Sequence, residues 1–380
     1  MTEINAVFEG GGVKGIALVG ALARTTEEQI NITGYAGSSA GAIVAAFASV
    51  GYHAAELKAI LETTDYMSFL DRTDSISLAD LRSFIEDIGR MSVGENIALV
   101  REELGRIWGA QERWPGTWHM WRAWKSLKKR RHDSINVIKD RLPLFGKLFA
   151  TLFNDYGLYG TGTFLEWLQS HLNKKGNTDP LSHQVTFGSL FEQTKCQLKI
   201  LTADVGARAP FLYSYQNSAD LEVAQAVQAS MSIPFFFKPF PFGTKFFIDG
   251  GTISNFPAWT FDKNDRNPAT ESQFPPPILG FRLVPETFPS QSIASFRQFG
   301  YGVIQTVLSG SDMLQTRRIP DLHLIQIPIP SRFSTTAFDL SPDDSEELHF
   351  RGRQAADRFF VDPANRTALR LPNYNWGRRP

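Results

Sequence analysis

Within residues 6–50 the chain twice runs a short β-type stretch into a glycine-rich turn and then into a helical pattern. Few features constrain a fold more. A strand that feeds a helix and then a second strand predicts parallel strands joined by a right-handed crossover, so the start of the chain is expected to be α/β. The first unit has a strand over residues 5–9, the turn Gly10-Gly11-Gly12-Val13-Lys14-Gly15 and a helix continuing over 16–23. The second has a strand over 32–36, the turn Gly37-Ser38-Ser39-Ala40-Gly41 and a small-residue helix over 42–50.

The second turn has the form Gly-x-Ser-x-Gly. A serine at a sharp strand-to-helix turn needs a strained backbone, and glycines two residues to either side remove the Cβ atoms that would clash. This nucleophile elbow exposes the serine oxygen at the positive end of the following helix, which makes Ser39 the candidate nucleophile. Ser38 stands at the x position before it and is the weaker choice. Acyl transfer also needs backbone N–H donors where an oxyanion develops. Gly11 and Gly12 in the first turn, and Ala40 after the serine, are the candidates. The pentapeptide alone also arises in small-residue stretches for packing reasons, so the pairing of the two turns carries the argument.

Two rival readings of the first turn fail on neighbouring residues. Gly10-x-Gly12-x-x-Gly15 after a strand fits a dinucleotide-binding fingerprint, but that site needs an acid at the end of the second strand. Here the strand ends Tyr35-Ala36-Gly37 and enters the serine turn. A phosphate loop would follow its lysine with Ser or Thr, whereas Lys14 is followed by Gly15.

The paired turns resemble those of the patatin-like phospholipases. Gly10 to Gly15 is similar to that family's Gly-Gly-Gly-x-Lys/Arg-Gly oxyanion loop, and Gly37 to Gly41 to its elbow. Phe246-Phe247-Ile248-Asp249-Gly250-Gly251 resembles the Asp-Gly-Gly motif that carries the family's catalytic aspartate. The resemblance continues at Ala229, Ser230, Pro234, Phe237 and Pro239, and at Asn255 and Pro257. It implies a three-layer α/β/α fold with a mainly parallel central sheet and a serine elbow. It also implies a Ser39–Asp249 dyad in which the aspartate acts as base directly, a phospholipid or lysophospholipid ester as substrate, and no cofactor or metal. Lys14 is expected to support the loop. A histidine triad using His323 or His349 is the mechanistic alternative, and a catalytically silent or activator-dependent lipid-binding protein of the same fold is the functional one. Residues 1–262 are expected to form the catalytic domain, with a basic, Trp-rich insertion around 108–150, and residues 263–380 an extension packed on it.

Equal numbers of acidic and basic residues, 39 each, leave any charge signal local. Residues 113–132 supply it: Trp114, Trp118, Trp121 and Trp124 lie among Arg122, Lys125, Lys128, Lys129, Arg130 and Arg131 with no acid. Aromatics mixed with cations suit a peripheral membrane contact or a lid; an amphipathic helix packed on the core is the alternative, and nucleic acid is not expected. The single cysteine, Cys196, rules out an intramolecular disulfide and reads as a packing residue in a reducing compartment. With no leader pattern and no apolar run of about twenty residues, the expected location is the cytoplasm, with any lipid met from outside the bilayer.

Further along, residues 53–63 read as a helix, and Asp71, Asp74 and Asp80 as solvated loop acids. Residues 157–160 read as a turn into a helix, 198–203 as a strand ending at a structural Asp204, and 219–230 as a helix. The apolar run 231–237 reads as core or acyl contact. Residues 262–277 read as a loop, 278–284 and 322–327 as strands, and 291–316 and 345–360 as helices.

Overall fold

Alternation along the first strand decides the layering. In β1 (Thr2–Phe8), Ala6 and Phe8 enter the larger apolar core while Val7 enters a second one on the opposite face. Successive side chains of a strand point to opposite faces, so a strand buried on both sides belongs to the interior of a covered sheet. The computed structural model describes residues 2–28, 30–72, 151–176, 184–261, 275–286, 319–333 and 340–372.

The sheet is mostly parallel. β1 lies between β2 (Ile30–Gly37) and β10 (Ile278–Pro285), both parallel to it, and β10 pairs in parallel with β11 (Leu322–Ile329). The strands read at 278–284 and 322–327 therefore join the same sheet as the glycine turns. On the other side β2 pairs in parallel with β5 (Gln197–Asp204). The hairpin β8 (Phe240–Phe242) and β9 (Lys245–Asp249) and the short β6 (Ala209–Tyr213) complete it antiparallel. A second, three-stranded sheet contains β3 (Asp71–Arg72), β4 (Gly157–Gly160) and β7 (Phe235–Phe237).

β5 brings distant parts of the chain together. Ile200 pairs with Gly37 of β2 and with Tyr213 of β6, so β2 and β6 lie on opposite edges of β5. Thr202 pairs with Phe211 of β6 and with Asp249 of β9, so β9 lies on the edge that β2 uses. The ends of β2 and β9 thus abut on one edge, with Gly37 and Asp249 opposite residues only two apart.

Helices α1 (Gly15–Thr25), α2 (Ala40–Ser49) and α3 (Ala54–Thr63) line the larger core with α4 (Gly162–Gly176), α5 (Phe187–Thr194) and α7 (Val223–Ser230). The short α6 (Tyr215–Ser218) precedes α7, and α8 (Pro342–Val361) and α9 (Pro363–Ala368) close the described chain. α8 lies against α1 at very close range: a Cβ on Gly20 would sit 1.9 Å from the His349 carbonyl oxygen, and one on Gly352 1.8 Å from that of Ala17. Among the described residues no helix is long and apolar enough to cross a membrane.

Two expectations are corrected. Residues 157–160 form a strand, because β3 and β7 flank it and take up its backbone hydrogen bonds. The helix expected over 219–230 is broken, since backbone groups at 221–223 pair with 185–187 instead: Phe187 N–H donates to Leu221 at 3.1 Å and Val223 N–H to Val185 at 2.9 Å. Asp71 accepts from the amides of Gly162, at 2.5 Å, and Thr163, at 3.1 Å, which caps α4 from a distance. Cys196 is buried and burial pushes its thiol pKa up, as a packing residue requires. The Trp-rich segment 113–132, the insertion around 108–150, Asp74, Asp80 and the helix expected over 291–316 lie outside the described residues.

Candidate active site

The two glycine turns leave the sheet side by side. Phe8, the last residue of β1, pairs with Gly37, the last of β2, so both turns open at the carboxyl ends of adjacent parallel strands, where α/β folds place their sites. Ser39 sits at the N-cap of α2 with φ 52° and ψ −129°, a strained backbone for a residue with a side chain. The glycines that permit this are under tight constraint. A Cβ on Gly37 would lie 2.2 Å from the Gly41 carbonyl oxygen, and one on Gly41 2.2 Å from that of Phe8.

The strained turn is held from α7. Ser39 N–H donates to Ser230 Oγ at 3.0 Å, and Ser230 Oγ–H donates to the Leu201 carbonyl on β5 at 2.7 Å. Two residues on, the Ser232 carbonyl accepts from Asp249 N–H at 2.9 Å. Residues 230–232 therefore fix the backbones of both Ser39 and Asp249.

Both side chains are buried. Asp249 Oδ1 accepts from Gly251 N–H at 2.7 Å, and the Ser39 hydroxyl lies near enough to favour its ionised form. Burial raises the Asp249 pKa to about 6 because desolvation outweighs these two contacts, each of which favours the ionised form. Ser39 Oγ also lies 3.6 Å from the Met231 sulfur, a weak acceptor. The described histidines are elsewhere: His53 caps α3, His171 Nδ1 bonds the Trp167 carbonyl, His323 lies 3.2 Å from Asp321, and His349 is on α8 against α1.

The first turn is clamped to the segment after Asp249. Gly10 N–H donates to the Asn255 carbonyl at 2.8 Å, and Asn255 Nδ2 donates back to the Gly10 carbonyl at 2.9 Å. Gly12 adopts φ 57°, and Lys14 N–H closes the turn on the Gly11 carbonyl at 3.3 Å. Gly12 and Ala40 line one cavity with Met231, so the first turn and the start of α2 face the same space. Gly15 packs against Ala40, and Gly250 and Gly251 turn the chain directly after Asp249. Desolvation lowers the Lys14 pKa while the nearby Glu9 carboxylate opposes that shift. Glu9 accepts from Leu283 N–H at 2.5 Å, tying this loop to β10. Ser38 is fully buried, and its hydroxyl has no hydrogen-bond partner among the described residues.

Val13, Ile43, Phe237 and the rings of Phe69, Phe164 and Trp167 also line this cavity. Its lining is almost wholly apolar. The 231–237 run supplies two of these residues. The sequence marks Ser230 only as part of a resembling segment; its bond to Ser39 N–H depends on the end of α7 meeting β5, which no local pattern encodes.

The chain can be set beside known proteins at this point. It is 26% identical over 369 residues to the uncharacterized protein YqhO of Bacillus subtilis (strain 168), covering 94% of this chain and 97% of that one. It is 27% identical over 104 residues to the probable lipid hydrolase 463L of Invertebrate iridescent virus 6, covering 27% of this chain and 34% of that one. Among solved structures it resembles VipD from Legionella pneumophila, with a TM-score of 0.48 at 15% identity over 94% of this chain and 66% of that one. A structure of ExoU in complex with SpcU from Pseudomonas aeruginosa gives a TM-score of 0.44 at 17% identity over 94% of this chain and 52% of that one. The profile of the patatin-like phospholipases matches residues 6–262, and the chain belongs to that family of lipid acyl hydrolases.

Proposed function

We propose that the protein hydrolyses acyl esters of phospholipids or lysophospholipids through a Ser39–Asp249 dyad and an acyl-enzyme. One observation carries this reading: a buried carboxylate of raised proton affinity lies beside the hydroxyl of a strained serine at the N-cap position of α2. A serine hydroxyl attacks a carbonyl only as a base removes its proton, and a carboxyl with a pKa near 6 is a better base than one at its ordinary value while staying ionised at neutral pH.

In the proposed sequence the Ser39 hydroxyl turns from the Met231 sulfur to Asp249 and attacks the ester carbonyl as Asp249 takes its proton. The tetrahedral oxyanion accepts hydrogen bonds from the amides of Gly11, Gly12 and Ala40, each good donor lowering the barrier by about 3 kcal/mol. Asp249 then returns the proton to the leaving alcohol. Water, deprotonated by the same carboxylate, attacks the acyl-enzyme; as the bond to Ser39 Oγ breaks, Asp249 returns the proton to that oxygen and the fatty acid leaves. Gly10, Lys14 and Gly15 shape the donor loop, Gly37 and Gly41 the elbow, and Gly250 and Gly251 the turn that presents Asp249. Substrate is taken from a membrane surface by a protein of the cytoplasm, with the Trp-rich segment as the proposed contact. The probable viral lipid hydrolase relative supports a lipid as substrate.

Fatty-acid release from mixed phospholipid vesicles tests the proposal with wild type, Ser39→Ala and Asp249→Asn, each checked for folding. Release by wild type alone is expected; equal release by either variant would refute the dyad.

A further inference from the structure

Among the described residues eight large apolar side chains stand exposed, and six of them belong to stretches that meet in one place. Val205 donates its N–H to the Phe246 carbonyl at 3.0 Å, and the Phe246 ring packs on Tyr156 with centroids 5.7 Å apart. Gly157, next in the chain after Tyr156, pairs with Phe235. Phe153 lies three residues before Tyr156 in helical backbone, and Phe242 pairs with Lys245 across the hairpin of β8 and β9. Contiguous exposed apolar surface of this kind marks a contact with something other than water.

The hairpin tip is the part that projects. Residues 241–246 are all exposed, and a Cβ on Gly243 would meet nothing within 4 Å. β9 runs antiparallel to β5, so tracing it back from Asp249 to Lys245 leads out past the carboxyl ends of β2 and β5, the end at which the glycine turns open. Four residues of strand carry the tip roughly 13 Å beyond Asp249. Phe246 pairs with Pro241 and Phe242 with Lys245, so the two phenylalanines point to opposite faces of the ribbon. A ribbon with a ring on each face is built to enter an apolar medium by its tip.

The charges around the tip select the occupant. Along 204–211 and 235–249 the carboxylates, Asp204 and Asp249, are buried, whereas the fully exposed charges, Arg208 and Lys245, are cations. Lys245 is matched by Asp204 at 3.2 Å and Lys238 by Asp155 at 2.8 Å, while Arg208 has no ion-pair partner among the described residues. A second copy docked tip to tip would set like charges together. An anionic lipid surface takes the rings below its head groups and the cations among them.

We propose that the tip of the β8–β9 hairpin is a membrane anchor, which inserts Phe242 and Phe246 into an anionic phospholipid surface with Arg208 and Lys245 at the head groups. The proposed hydrolase reading enters only in that the anchored strand ends at Asp249, so that docking holds the site against its lipid. The two readings fail separately, because binding is measured in the Ser39→Ala protein, without turnover.

The assay is co-sedimentation with vesicles of phosphatidylcholine, alone or mixed with phosphatidylglycerol. Phe242→Ser combined with Phe246→Ser removes both inserted rings and should weaken binding to the mixed vesicles at least tenfold. Arg208→Gln should weaken it about fivefold and leave binding to phosphatidylcholine alone as it was, a second test if the double variant does not fold. No binding by the parent protein, or unchanged binding to mixed vesicles by either folded variant, would overturn the inference. A parent dimer in analytical ultracentrifugation that the double variant loses would overturn it too, in favour of an interface between copies. Binding lost in the folded double variant, with no fatty acid released by wild type, would uphold the anchor and count against the hydrolase reading alone.

Discussion

Replacing Asp249 by Asn should make the protein more stable while removing its activity, by an amount that follows from the burial of one carboxylate. Asp249 has a pKa of about 6 in the folded protein against an ordinary value of 3.8, so the folded state binds its proton more tightly than the unfolded chain does. The stability this group contributes is therefore complete below pH 3.8 and is lost as pH rises through 6. A gap of about two units amounts to roughly 3 kcal/mol of destabilisation once the folded carboxyl is ionised. Asn approximates the protonated acid: it carries no charge, and its Oδ1 can still accept from Gly251 N–H. Asp249→Asn should thus gain about 3 kcal/mol at pH 7.5 and little at pH 3.5. For a chain of 380 residues, with roughly 0.8 kcal/mol per kelvin of unfolding entropy, that is about 4 °C in Tm. Thermal melts of both proteins across this pH range measure it. A gain of equal size at both pH values, or none at pH 7.5, would refute the claim that the cost comes from ionising a buried carboxyl.

The same titration should govern catalysis. With Asp249 as base, kcat/KM rises with pH as one proton leaves and reaches half its plateau near pH 6; a half-point near 4 would exclude Asp249 as the titrating base. Ser230→Ala takes the acceptor from Ser39 N–H and the donor from the Leu201 carbonyl, both buried, and should cost about 1–3 kcal/mol of stability. It should also lower kcat by at least tenfold with KM little changed, whereas a purely structural role would lower Tm alone. Gly352→Val drives a side chain into the Ala17 carbonyl of α1, with no flexible neighbour to yield, and should cost upward of about 3 kcal/mol in a urea melt. Simultaneous Lys128→Glu, Lys129→Glu, Arg130→Glu and Arg131→Glu should weaken co-sedimentation with anionic vesicles; unchanged binding would remove the Trp-rich segment from membrane contact.

Much of this architecture is written locally. The strand-turn-helix units around Gly10 and Ser39 are legible because the strain is local: the chain must place glycine where neighbouring backbone leaves no room for a Cβ. Strands β10 and β11 and helix α8 are equally plain from apolar periodicity. The signal fails where tertiary pairing decides. Residues 157–160, Gly-Leu-Tyr-Gly, carry turn residues at both ends, and only β3 and β7 make them a strand. The break before α7 arises because the backbone at 221–223 finds partners at 185–187, a choice that helical spacing cannot foresee. Asp71 read as one of several loop acids, and its work as a cap for α4 depends on a residue far along the chain. Ser230 behaves likewise: nothing in its local sequence indicates that it holds the amide of Ser39.

These cases share a cause that also explains why Ser39 and Asp249 can meet at all. Neither residue's own motif specifies the distance to the other, and a glycine turn or an Asp-Gly-Gly turn would form as well with its partner elsewhere. The distance is set by β5, whose one edge is divided between the end of β2 and the end of β9, Gly37 opposite Ile200 and Asp249 opposite Thr202. The end of α7 then bonds all three segments, with Ser230 between Ser39 and Leu201 and Ser232 on Asp249. Strands hold register by a ladder of backbone bonds, and a one-residue slip of β9 would turn the Asp249 side chain to the opposite face of the sheet. The placement of the carboxylate is thus all or none. Disturbing β5 or the end of α7 should abolish activity steeply even where the fold survives, while changes at the β11 edge should reach the site only through global stability.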